Sequence, residues 1–69
     1  MSIAKVIEVL AEGDSIEAAI QSAVTEAAVT VRGIRHVYVK EVQAVVEADT
    51  VVKYRVNANL TFVIEAERD

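Results

Sequence analysis

The strongest regularity in the chain lies near its end. Val52, Tyr54, Val56, Ala58, Leu60, Phe62, Ile64 and Ala66 alternate with Lys53, Arg55, Asn57, Asn59, Thr61, Glu65 and Glu67, and only Val63 breaks the polar set. A period of two over this length predicts a long strand with one buried face and one polar face. The segment before it also alternates, but Val37 and Val39 occupy odd positions whereas Val42, Ala44, Val46 and Ala48 occupy even ones. The phase slips near Lys40-Glu41, where a β-bulge would keep both halves turned to one core and bend the strand. Ala48-Asp49-Thr50 is the predicted turn between the two strands, although it lacks the Asn-Gly or Asp-Gly pair of the tightest hairpins.

The first half of the chain has a different rhythm. Residues 3–11 are mostly β-branched or aliphatic, with Lys5 and Glu8 as the charges, which predicts a strand largely buried on both faces. Asp14-Ser15-Ile16-Glu17 then resembles a capping box, in which Asp14 or Ser15 satisfies free N–H groups at a helix start. Ile16, Ala19, Ile20, Ala23, Val24, Ala27 and Val31 recur at spacings of three and four, predicting a helix over residues 16–32 with one alanine-rich apolar stripe. Gly33 is its expected left-handed cap.

These elements fix a topology. A crossover through the helix leaves the first two strands parallel, so the last strand fits antiparallel between them. The expected fold is α+β: a β-α-β-β subunit, residues 1–69 as one domain, with a three-stranded sheet of order 1-3-2 partly wrapped around one helix. A strand of this length spans about 50 Å, whereas the predicted helix spans about 25 Å. One helix cannot cover such a sheet, and the apolar remainder calls for another copy of the chain.

Composition supports that conclusion. A chain of 69 residues has little interior of its own, and without cysteine it has neither disulfides nor a thiolate zinc site to compensate. At 54% hydrophobic it is too apolar for a disordered segment. A net charge of −4 lacks the basic stripe that nucleic acid requires. There is neither an apolar run long enough to span a bilayer nor a signal-peptide pattern, so the expectation is a cytoplasmic protein with no membrane partner.

The lysine-bearing strand Lys5-Val6-Ile7-Glu8-Val9, the helix with Glu17-Ala18-Ala19-Ile20, Val39-Lys40-Glu41-Val42 and the closing strand with Tyr54 and Phe62 together resemble the dodecins along essentially the whole chain. The resemblance implies a hollow homododecamer that stores or buffers flavins without catalysis. It also implies a ligand site at His36, where flavin-binding members carry a stacking tryptophan, and at Arg55, where they typically carry a glutamine. Imidazole stacks less strongly than indole, and a guanidinium donates but cannot accept. Val63 stands where the family often has an arginine, which weakens the case for phosphate-bearing ligands. Flavin, as riboflavin or FMN, is therefore demoted in favour of an unspecified small planar ligand.

Tyr38 and Lys40 share a strand face with His36. Arg55 is a candidate to grip a carboxylate, a phosphate or a ring carbonyl, or else to pair with an acid such as Glu41 or Glu47. Glu41, at the expected bulge, is the fourth candidate binding residue after His36, Arg55 and Tyr38. No calcium-loop spacing occurs among the acids, but carboxylates from several copies meeting on a symmetry axis would hold a divalent cation. The metal ligands themselves are not identifiable. No nucleophile, base or phosphate loop falls at a motif spacing, so an enzyme is not expected. The alternative to a ligand store is an ion-binding or purely structural hollow assembly.

Overall fold

In the computed structural model, residues 2–65 are described; Ala66 and Glu67 of the predicted closing strand lie outside them. The chain runs β1 (Ser2–Gly13), α1 (Ile16–Ala27), β2 (Ile34–Glu47) and β3 (Thr50–Glu65). Both sheet pairings are antiparallel and the order is β1-β3-β2, as the crossover argument requires.

The helix starts where the sequence places it. Ser15 is the N-cap, its hydroxyl accepting the Ala18 N–H at 3.0 Å. It ends earlier than expected, at Ala27 with Ala28 as C-cap, and a turn closed by N–H groups of Thr30 and Val31 on the Ala27 carbonyl follows. Val29-Thr30-Val31 is a β-branched run, poor at propagating a helix, and it stops α1 before Gly33. Gly33 does adopt a left-handed φ of 77°, but it leads into β2, where its carbonyl accepts the Val63 N–H at 3.3 Å.

Ala19, Ala23 and Ala27 are the buried residues of α1, and they rest on Val56, Ala58, Leu60 and Phe62 of the central strand. Alanine at these positions lets the helix approach the sheet closely. Gly13 tightens the same corner, because a Cβ there would lie 2.6 Å from the Ala19 nitrogen. Register puts Ile7, Val9 and Ala11 of β1 on this helix side, and Ala4, Val6, Glu8, Leu10 and Glu12 on the other. β1 is therefore not buried on both faces within one chain: Val6 is 59% and Leu10 70% exposed.

β2 slips register at three places, Ile34/His36, Val39/Glu41 and Val45/Val46. The middle slip is the bulge expected near Lys40-Glu41. It keeps Val37, Val39, Val42 and Ala44 on the helix side, yet Val42 and Val46 remain exposed because the helix does not reach them. Twelve residues of helix measure about 18 Å, against a long molecular axis of 59 Å.

Candidate functional site

The helix covers one face of the sheet, and every candidate residue from the sequence lies on the other. Along β3 the open face presents Lys53, Arg55, Asn57, Asn59 and Thr61. His36 pairs with Thr61, Tyr38 with Asn59, Glu41 with Asn57, and Gln43 with Arg55, so β2 contributes one side chain to each row. From β1 come Glu8 opposite Asn59, Leu10 opposite Asn57 and Glu12 opposite Arg55.

Ion pairs knit these rows together. The Arg55 Nε and Nη2 both donate to Glu12 Oε2, at 2.9 and 2.7 Å, and the Lys53 ammonium donates to Glu12 Oε1 at 2.9 Å. Lys40 reaches over the central strand to Glu8 Oε2 at 3.2 Å. Hydrogen bonding to Lys53 and then to Arg55 holds the Glu12 carboxyl below the ordinary carboxylate range. Glu8 is lowered in the same way, first by its bond to Lys40 and next by the Asn57 amide. These groups are exposed, so each pair contributes little to stability by itself, but together they fix where the charges sit.

Between the two ties, Leu10, Glu41, Gln43, Arg55 and Asn57 line a depression of about 200 Å³. Asn57 Oδ1 is shut off from solvent and has no hydrogen-bond partner, a state that costs about 1–3 kcal/mol until a donor reaches it. A larger open groove, about 930 Å³, runs between β1 and α1 past Ile7, Val9 and Ala23. Its walls combine aliphatic side chains with Glu12, Ser22, Glu26, Thr30 and Arg55, so it adjoins the Glu12–Arg55 tie.

The structure thus brings Glu41 and Arg55 to one depression and sets Tyr38, in the row of Glu8, and His36, one row further on, apart from it. Six residues of strand separate the rows of Arg55 and Thr61, about 20 Å. Arg55 pairs with Glu12, not with Glu41 or Glu47 as the sequence suggested, because only β1 supplies an acid in its own row. Glu12, Gln43 and Asn57 were not singled out from the sequence. Alternation does put Asn57 on the polar face, but Glu12 belongs to a different strand and enters only through register. Among the described residues, no group of three or more His, Cys, Asp or Glu side chains converges as metal ligands within one chain.

Comparison with known proteins agrees with this fold. The dodecin family model matches residues 3–65. The tt0972 protein of Thermus thermophilus superposes with a TM-score of 0.88 at 28% identity, over 97% of this chain and 100% of that one. A tryptophan-to-phenylalanine mutant of the T. thermophilus dodecin gives 0.87 at 28%, over 96% and 100%. The dodecin of Streptomyces coelicolor gives 0.87 at 28%, over 96% of both chains. No curated protein matches the chain. With the family pattern running from Ile3 to Glu65 and the β-α-β-β fold shared throughout, the chain belongs to the dodecin family.

Proposed function

We propose that this chain forms a homododecameric container for a small planar ligand, flavin-like or of another aromatic class, held on the open sheet face between copies and stored without being transformed. A cytoplasmic location belongs to the same reading. The observation that carries it is the incompleteness of the face in one chain. Its depression of about 200 Å³ falls short of the roughly 300–1,000 Å³ of a small-molecule site, while Tyr38 beside His36 is 67% exposed. A ring that meets both regions takes His36 and Tyr38 from one copy and the depression beside Arg55 and Glu41 from another.

The residues fit a flavin in part. The amide side chains of Gln43 and Asn57 line the depression and suit a ring edge that donates and accepts, whereas the Nε/Nη2 edge of Arg55 is already engaged and His36 offers a small stacking surface. That engagement favours the second reading, an assembly that is structural or binds a cation. Since the described residues of one chain do not gather a metal-ligand set, a cation site would draw carboxylates from several copies.

Titration of riboflavin with the purified protein, read by quenching of flavin fluorescence, separates the two. Measurable quenching by the parent, tightened about tenfold in His36→Trp by one added stacking contact, supports the ligand store. Failure of both proteins to bind riboflavin or the related ring lumichrome leaves the structural reading.

A further inference from the structure

Within that reading, the sequence left open whether Arg55 serves a phosphate, a carboxylate or a ring carbonyl. The geometry supplies an answer through a residue on another strand. Glu12 is the cross-strand partner of Arg55 and takes two of its donors on one oxygen, while Lys53 occupies the other oxygen. We propose that Glu12 sets the charge of the ligand this face accepts: by engaging the Arg55 fork it reserves the depression for an uncharged planar heteroaromatic and turns away the phosphorylated form of the same ring.

Two independent observations support it. The first is the charge balance. Over the rows from Lys53 to Asn59 the open face carries Glu8, Glu12 and Glu41 against Lys40, Lys53 and Arg55, three acids facing three bases. An arriving phosphate finds no surplus positive charge there, and at Arg55 it meets an Nε/Nη2 edge already held by a carboxylate of its own sign, with only the Nη1 side left to donate. Glu41, on the lip of the depression, adds repulsion at close range.

The second is the polarity of the lining. The other polar groups around the depression are the neutral amides of Gln43 and Asn57, and the unsatisfied atom is an acceptor, Asn57 Oδ1. A phosphate at neutral pH offers acceptors almost exclusively, so it meets only the N–H half of such amides. A ring edge with an N–H beside a carbonyl both donates and accepts, as the amide side chains around it do. The face is thus matched to a neutral lactam-type edge both in net charge and in hydrogen-bond sense.

The test is a pair of titrations, riboflavin against FMN, at low ionic strength on the assembled protein. The parent should bind riboflavin about tenfold or more tightly than FMN. Glu12→Gln keeps the side-chain shape but releases the Arg55 fork, and it should remove most of that preference by tightening FMN selectively. Glu17→Gln, in the first turn of α1 and off the open face, changes the net charge equally and should leave the preference intact. That variant separates a local effect of Glu12 from the general field of an acidic assembly. An FMN preference in the parent, an unchanged ratio in Glu12→Gln, or an equal shift in Glu17→Gln overturns the assignment of Glu12 while leaving the ligand store standing. Absence of binding to either compound overturns the ligand store, and the role of Glu12 with it.

Discussion

Ala48 and Asp49 have positive φ angles of 52° and 63° and form the whole of the link between Glu47 and Thr50, which pair across it. This is the two-residue hairpin geometry that favours Asn-Gly, built here from an alanine and an aspartate. Aspartate tolerates the left-handed region; alanine does so at a cost, since its Cβ crowds the following carbonyl by about 1–2 kcal/mol. Ala48→Asn together with Asp49→Gly should therefore stabilise each chain by about 1 kcal/mol, seen as a higher midpoint in thermal denaturation, whereas Ala48→Val should lower it. A double mutant no more stable than the parent would show that the left-handed turn is not a source of strain. Nothing in the hydrophobic pattern gives this conformation away. The sequence places the turn, but the sign of φ is dictated by the twist of the two strands that meet there.

At the scale of elements, contacts between β1 and its neighbours decide most of what pattern reading could not reach. Gly13 ends β1 against the start of α1, and a methyl group there would meet Ala19 N at 2.6 Å and Ala18 C at 2.8 Å, backbone atoms that cannot swing aside. Gly13→Ala should cost about 1–3 kcal/mol through overpacking, measurable by denaturant melts. β1 is also tied across the sheet by Glu8 to Lys40 and by Glu12 to Lys53 and Arg55. Because both carboxyls titrate below their usual range when folded, their contribution is complete above the unfolded glutamate value of about 4.3 and disappears as pH falls through the lower folded values. The thermal midpoint should hold near neutrality and drop under acid conditions, and Glu8→Gln combined with Glu12→Gln should flatten that drop. An unaltered pH profile in the double variant would remove these ties from the account of acid stability. The long strands, the bulge near Lys40-Glu41, the Ser15 cap and the order β1-β3-β2 were all legible, since each rests on local period or chain connectivity. The early stop of α1 was not, because the β-branched run at 29–31 competes with a glycine signal at 33. Likewise, alternation with the phase slip at Lys40-Glu41 is what turns His36, Tyr38 and Glu41 to one face of β2, yet the grip of Glu12 on Arg55 depends on a register that no single strand encodes.

For the whole molecule, the mismatch in length between sheet and helix is the governing fact. Leu10, Tyr38, Val42, Val46, Val51 and Val52 are all exposed in one chain, and an apolar display of this extent marks a surface awaiting a partner. Twelve copies of the 7.5 kDa chain should scatter light as a particle of about 90 kDa, and Val46→Asp, which puts a charge beyond the reach of the helix, should shift the distribution toward small species. A parent protein that remains monomeric at micromolar concentration would defeat the proposed container. In the proposed container the same mismatch makes folding a collective property. Where neighbours complete the interior, unfolding and disassembly become one event, and the denaturation midpoint moves with total concentration. A defective copy is then no private matter. Mixed with sound chains, it carries its fault into every shell it joins, so the share of sound shells falls far faster than the share of sound chains.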